Sequence, residues 1–548
     1  MGNGESALEK EYQKKYEGVD IDGLPDRIAD TFKGKTLFIT GGTGFMGKVL
    51  VEKILRDCPD LKKMYLLTRV KKGMDPKERL YKIFQSPLFD KVKEIHGEDV
   101  IKNKVAYIGG DVTVPELGMS ESDRQILIDE VDIVYHLAAT IRFDETLKRA
   151  VLLNVRGTKM VLELAKQMKH IEFFYHMSTA YCHLEEKILE ERSYPPLCNP
   201  HDLIKSMEWM EDDVAETLTQ KILGKYPNTY AFTKNLAEAI VVEAIESDPP
   251  FPAVIARPSI VVPIWREPLP GWTDNINGPT GLLIGAGKGV IRTMYCKQEG
   301  HADYLPVDIA VNAVLVVTWN FVTNKDYSRR YFHFTSSEEI RISWEELILM
   351  GRKITEEIPL NGVVWYPGGS MKKSKLLHTI CVILFHYIPA YFIDTLLFFL
   401  GYKPIMCRVQ SRISKGFEVF EYYANNQWQF MNTHVYYARS VMNPKERERY
   451  KVDGLGLDIE QYFKSCILAA RAYILNEAPE TLPAARRHLK IMYWVDVITK
   501  IALTLFFFYL MSRYFEFFHF IFFGLLSVFQ YVLNIFTPKA SAQMKADA

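Results

Sequence analysis

The sequence predicts an α/β fold, a doubly wound parallel sheet, followed by a helical C-terminal domain and a C-terminal membrane segment. Three observations carry this. Residues 36–47 read Thr-Leu-Phe-Ile-Thr-Gly-Gly-Thr-Gly-Phe-Met-Gly, a β-prone run, a glycine turn and the start of a helical pattern. Further apolar runs at 64–68, 104–108, 132–137 and 173–177 alternate with helical stretches, as parallel strands joined by crossover helices require. Apolar and aromatic residues crowd into the last third, which closes on an uncharged run at 517–536.

The first strand and its turn are the strongest element. Gly41 permits the tight turn, Gly44 lets a pyrophosphate approach the backbone, and Gly47 lets the helix pack on the strand. The helix N-terminus then offers free N–H groups and the positive dipole end to phosphates. Thr40, Thr43, Phe45 and Met46 share that turn and are candidate cofactor contacts, in a Rossmann-type arrangement. The second strand ends in Arg69 with Lys71 and Lys72 behind it, and no acid precedes Asp75. A guanidinium there suits a ribose 2′-phosphate, so NADPH is the expected cofactor. The third strand ends at Asp111-Val112, where a carboxylate can accept from the adenine amino group. The fourth ends in Ala138-Ala139, small enough for a cofactor to pass, and Asn154 lies in the helix beyond. The fifth ends in Ser178-Thr179.

Composition bounds the rest. The chain has 548 residues, enough for two or more domains. Its 67 basic and 67 acidic residues balance, which gives no sign of a nucleic-acid partner. The seven cysteines are scattered without a CxxC pair, favouring a reducing compartment, with neither a disulfide framework nor a metal site expected. A charged N-terminus argues against a signal peptide. Met1-Gly2-Asn3-Gly4-Glu5-Ser6 fits the loose myristoylation pattern, although a disordered leader is the plainer reading.

Tyr230 and Lys234 are four residues apart in a helical pattern, so both project from one face. An ammonium beside a phenol is expected to lower its pKa and make it a usable proton donor near neutrality. Lys234 can also bind the nicotinamide ribose, and a hydroxyl from Ser178 or Thr179 can orient a substrate oxygen.

With these residues in hand, the chain resembles an extended short-chain dehydrogenase/reductase. The finer motifs Leu66-Leu67-x-Arg69, Val155-x-Gly157-Thr158, His176-x-Ser178-Thr179-Ala180-Tyr181, Arg257-Pro258-Ser259, Leu305-Pro306-Val307-Asp308 and Gly271-Trp272 to Gly281 are similar to those of animal fatty acyl-CoA reductases. The likeness spans roughly residues 30 to 490. It implies two-step reduction of a long-chain acyl-CoA to a primary alcohol by NADPH. It implies Tyr230, Lys234 and Thr179 or Ser178 as the catalytic group, and Pro258 at the cofactor. The other readings are a membrane-bound hydroxysteroid dehydrogenase or sugar-nucleotide epimerase, and an inactive membrane scaffold.

The expected divisions are a polar leader at 1–30, an NADP-binding catalytic domain at 31–355, a helix-rich C-terminal domain at 356–480, and a basic cluster with membrane segments at 481–540. Residues 376–393 carry no formal charge but are broken by Pro389, which suits a tunnel wall or interfacial hairpin first, a plain buried core next and a span last. A helical stripe is expected over 414–431. Arg486, Arg487 and Lys490 precede the apolar segment at 493–511, with 517–536 as the credible transmembrane helix. That basic cluster places the catalytic domain in the cytosol. The peroxisomal membrane is the expected location, with the endoplasmic reticulum as the alternative; the tail at 545–548 matches neither peroxisomal Ser-Lys-Leu nor the Lys-Asp-Glu-Leu retention signal. The expected partners are a long-chain acyl-CoA and a lipid bilayer.

Overall fold

The computed structural model describes residues 12–531, apart from 70–72, 74, 337–338, 515–519 and 521–522. Seven parallel strands form the central sheet: β1 (Thr36–Thr40), β2 (Lys63–Thr68), β3 (Val105–Gly109), β4 (Ile133–His136), β5 (Phe173–Met177), β6 (Ala253–Pro258) and β7 (Tyr331–Phe334). Their order is β3-β2-β1-β4-β5-β6-β7. The order reverses between β1 and β4, and that reversal opens a crevice at the strands' carboxyl ends.

Period-two alternation divides the core into two layers. Leu37, Ile39, Ile133 and Tyr135 pack with helices α1 (Phe45–Asp57) and, further along the chain, Val307–Val322. Phe38, Val134 and Phe174 pack on the other face with α2 (Gly157–Ala165) and α3 (Thr229–Ile245). The helix Val307–Val322, α4, is buried along its whole length. Strands β6 and β7 extend the sheet beyond the five that the sequence predicts. Ala253-Val-Ile-Ala and Tyr331-Phe-His-Phe are short runs buried on both faces, so neither alternates apolar with polar residues.

The polar leader ends earlier than residue 30. Asp26 caps a short helix, Arg27–Thr31, whose Ile28 is fully buried, and Arg27 pairs with Glu446 at 2.6 Å. The second region is likewise laced to the first. Helix α5 (Trp344–Glu357) opens with a capping box from Ser343 and Glu346 and runs through the expected 355/356 boundary. Helix α6 (Lys375–Phe399) widens by one turn at Ile383–Tyr387, just before Pro389, which cannot donate to the ladder. Helix α7 (Met406–Asn425) ends before Trp428, so the stripe expected to residue 431 is a helix followed by a short strand. That strand, Gln429–Phe430, pairs in parallel with Ile188–Leu189. Helix α8 (Ile459–Ala469) meets the loop at Gly271, where a Cβ would lie 2.2 Å from the Ser465 carbonyl.

Helix α9 (Leu482–Tyr514) unites the basic cluster and the first apolar segment in one rod. Ala485 and Leu489 are buried against the body, whereas Leu503, Phe506 and Phe507 are exposed. Both α6 and the helix Pro479–Tyr514 are long and apolar enough to cross a membrane. Residues 523–531 are helical. The rest of the expected 517–536 span lies, apart from Phe520, outside the described residues, as do Met1–Ser6, Lys71, Lys72 and the tail at 545–548.

Candidate active site

The glycine turn forms because only glycine fits it. Gly41 has φ +76°, and a Cβ there would sit 2.7 Å from the Ala138 nitrogen. A Cβ on Gly47 would stand 2.2 Å from the Gly41 carbonyl oxygen. Gly44 is the N-cap of α1 and brings no side chain to the first-turn N–H groups, which suits a phosphate-bearing ligand. Phe45 leans on Trp272 with centroids 6.0 Å apart, and Met46 packs on the core. Thr40 Oγ1 shares a proton with His136 Nδ1 at 2.7 Å and accepts from the Ala138 N–H at 3.3 Å. Burial lowers the His136 pKa to about 3, so the imidazole is a neutral brace between Thr40 and Thr158.

At the tip of β2, Arg69 lies 3.5 Å from Asp111, whose other oxygen accepts from the Thr113 N–H and hydroxyl. Val112 packs against Gly157, where a Cβ would meet it. A second arginine, Arg79, donates to Thr43 Oγ1 at 2.7 Å and to the Arg69 carbonyl at 3.2 Å. Burial, and then the charge of Arg69, lower its pKa, so an anion placed there would relieve both cations. Arg79 is the site residue that the sequence reading misses. It sits on a helix ten residues after Arg69, and no spacing rule points to it.

Asn154 holds the loop after β4 to α3: it accepts from the Thr140 N–H at 2.9 Å and donates to Thr233 Oγ1 at 2.9 Å. Ala139 lies in that loop, partly exposed, and Pro258 ends β6 on the same carboxyl edge.

Helix α3 is capped by Asn228, whose Oδ1 accepts from the Ala231 N–H. This fixes the first turn, which carries Tyr230. Thr179 lies near enough to the Tyr230 phenol to lower its pKa against the effect of burial. Ser178 points elsewhere, its hydroxyl 3.7 Å from the Cys182 sulfur. One of the two adjacent hydroxyls therefore meets the tyrosine. Lys234 donates to the Met177 carbonyl at 2.6 Å. Burial lowers its pKa to about 8, opposed by Cys182 and Glu238. Tyr230 departs from expectation: burial raises its pKa, opposed by Thr179, and Lys234 is not among the causes. The lysine's first bond goes to a backbone carbonyl, not to the phenol.

Beneath this group lies a buried ion pair. Arg257 grips both Glu238 oxygens, Nε–Oε1 at 2.9 Å and Nη2–Oε2 at 2.8 Å, and His183 Nε2 lies 2.8 Å from Oε2. Burial alone would raise the Glu238 pKa, but Arg257 and His183 hold it well below the carboxylate range. Cys182, His183 and Glu238 are close enough to suggest a metal triad. The guanidinium already fills the carboxylate, and burial keeps the Cys182 thiol protonated, so the donor set fits an ion pair better than a cation.

The C-terminal region supplies a wall. Tyr423 on α7 accepts from Asn228 Nδ2 at 2.9 Å. Phe143 lies edge-on to Tyr230 at 5.5 Å and 5.9 Å from Tyr423. Tyr181 contacts Tyr423, Trp428 and Phe430. Lys288 and Arg292, noted in the sequence as cations near a glycine-rich loop, are engaged elsewhere. Lys288 bonds the Asn361 carbonyl and Glu477, and Arg292 pairs with Asp496 at 3.4 Å.

Comparison with known proteins supplies the family. Residues 39–314 match one family model and 385–477 another, both described as male sterility protein. The chain is 37% identical over 462 residues to fatty acyl-CoA reductase 1 of Mus musculus, covering 84% of this chain and 89% of the relative. The chain belongs to the fatty acyl-CoA reductase family. Within that family it is also 35% identical over 463 residues to fatty acyl-CoA reductase 2 of Bos taurus, with 84% and 89% coverage. The fold recurs in the reductase domain of a non-ribosomal peptide synthetase from Mycobacterium tuberculosis. There the TM-score is 0.52 and the identity 17%, over 84% of this chain and 99% of that one. The chain is thus an oxidoreductase with a nicotinamide-cofactor-binding domain.

Proposed function

We propose that this fatty acyl-CoA reductase converts a long-chain acyl-CoA to a primary alcohol, consuming two NADPH and two protons and releasing CoA. The observation that carries the reading is the meeting of Tyr230, Thr179 and Lys234 at the carboxyl edge where the glycine turn opens, with Thr179 near enough to lower the phenol's pKa against burial. The glycine turn would hold NADPH by its pyrophosphate, with Arg69 and Arg79 as the groups that would meet its 2′-phosphate, and the bound cofactor would supply hydride. Tyr230 and Thr179 hold the oxygen of the thioester carbonyl and stabilise the negative charge that develops on it. Carbon–sulfur cleavage then releases CoA as the thiol and leaves an aldehyde. In the second round Tyr230 gives its phenolic proton to the aldehyde oxygen as the alcohol forms. Lys234, seated on the Met177 carbonyl, would hold the nicotinamide ribose with its cation.

The aromatic side chains of Phe143, Tyr181 and Tyr423 flank this site and would give an acyl chain an apolar surface. Helix α9, with the basic cluster Arg486, Arg487 and Lys490 at its start, attaches the enzyme to a bilayer with the catalytic domain on the cytosolic side. The peroxisomal membrane is the expected location. The deciding experiment is product analysis by mass spectrometry over a panel of acyl-CoA chain lengths with NADPH. Fatty alcohol and free CoA are expected. A preparation that binds NADPH yet yields no alcohol at any chain length would defeat the reading.

A further inference from the structure

We infer that residues 388–409, the tip of the α6–α7 hairpin, form a second membrane contact that dips into one leaflet without crossing it. The inference rests on the membrane attachment just proposed and adds a site to it.

The hairpin leaves the body and returns to it. On the outgoing side, His378 Nδ1 lies 3.1 Å from Thr293 Oγ1, and His386 Nε2 accepts from the Arg292 N–H at 2.9 Å. On the returning side, Gln410 Nε2 reaches the Val290 carbonyl at 3.4 Å. Val290 and Arg292 are neighbours, so both limbs are tied to one loop, and the chain between them cannot end on the far side of a bilayer. Three rungs hold the limbs together: Lys375–Glu421 at 2.7 Å, Tyr387 to Ser414 at 3.0 Å, and Asp394 at the top. Asp394 accepts from the N–H groups of Ile405, Met406 and Cys407, each at 2.8 Å. It is the one carboxylate of the tip, and as the cap of α7 it enters an apolar phase already satisfied.

The outer surface of the tip is apolar. Phe398, Phe399, Leu400 and Tyr402 are 67%, 79%, 70% and 67% exposed, and Tyr391 and Phe392 are 63% and 65%. A soluble surface rarely gathers so many large apolar side chains in one place. The limb Ile388–Phe399 rises about 18 Å at 1.5 Å per residue, close to one leaflet of a hydrocarbon core roughly 30 Å thick. Lys403 at the turn limits the depth, since its ammonium must snorkel back to the headgroups. Arg408 and Arg412 follow on the return limb, where anionic headgroups would meet them. The contact is also continuous with the attachment helix: Arg292 pairs with Asp496 of α9 and lies 6.0 Å from the Phe385 ring of α6.

The test places an environment-sensitive nitrobenzoxadiazole label on the full chain by Phe399→Cys, in a background with Cys198→Ser and Cys407→Ser. The labelled protein is reconstituted into phosphatidylcholine–phosphatidylserine vesicles containing shallow or deep nitroxide lipids. Labels at Leu503→Cys and Tyr81→Cys report α9 and the aqueous face. The 399 label is expected to shift to the blue and to be quenched about twofold or more by the shallow nitroxide, and less by the deep one. A label at Tyr402→Cys should behave alike, which guards against a local effect. A 399 label as unquenched as that at 81, while 503 is quenched, would overturn the hairpin contact alone. Quenching at neither 399 nor 503 would overturn both it and the attachment. Stronger quenching by the deep nitroxide, or protection that follows protein density instead of lipid, would also overturn it.

Discussion

Thr179 and Ser178 are adjacent, yet only one reaches Tyr230, and the difference arises from the turn after β5. Thr179 accepts from the Tyr181 N–H as the cap of that turn, which turns its hydroxyl toward the phenol whose pKa it lowers, while Ser178 faces Cys182. Thr179→Ala should therefore lower kcat about a hundredfold, whereas Ser178→Ala should leave it within a few-fold; steady-state rates on one acyl-CoA decide this. Tyr230→Phe should abolish turnover while NADPH affinity, read by fluorescence titration, is kept. The pH dependence follows from Lys234. Its pKa is lowered from 10.5 to about 8, so the cation is present below that value and is lost as pH rises through it. The rate should fall on the alkaline side of about pH 8, and Lys234→Arg, which stays charged, should move that limb upward. An unshifted limb would assign it to another group.

At the scale of elements, the strand–turn–helix unit was legible because its geometry is written in residue type: no other side chain fits Gly41 or Gly47. Gly47→Ala should destabilise the fold by about 1–3 kcal/mol through the clash with the Gly41 carbonyl and weaken cofactor binding, both visible in thermal unfolding with and without NADPH. The spacing of Tyr230 and Lys234 was legible because both ride one helix. What the sequence could not reveal is pairing between distant segments. Arg79 reaches the glycine turn only through the fold. Likewise, Lys234's partner is a backbone carbonyl on β5, so an argument from two neighbouring side chains misjudged the phenol. Arg69 and Arg79 together make a basic pocket at the end of β2. Arg69→Asp should shift preference toward NADH, and Arg79→Ala should raise KM for NADPH more than for NADH. An unchanged cofactor ratio in both would remove the pocket from the 2′-phosphate.

For the whole molecule, the helical region braces the candidate site. Tyr423 of α7 bonds the residue that caps α3, so the first turn of α3 and the tyrosine it carries are held from the C-terminal side. The composition shift near residue 340 marks a second region, but the leader helix, the Ile188–Leu189 pairing and α5 all cross the divisions drawn from sequence, because cross-domain contacts leave no periodic signature. Attachment and chemistry are separable in this architecture. Leu503, Phe506 and Phe507 are exposed on α9, between the buried Asp496 and Ser512. Replacing these three with glutamine removes apolar surface without touching the Arg292–Asp496 and Trp365–Asp496 bonds that seat the helix. The variant should shift from the carbonate-resistant membrane fraction toward the soluble one. Its turnover of a short acyl-CoA below micellar concentration should stay within a few-fold of the parent, because that substrate reaches Tyr230 from water. Its turnover of a long-chain acyl-CoA presented in vesicles should fall, since the site would no longer be held where that substrate partitions. Equal losses on both substrates would mean that α9 supports the active site itself.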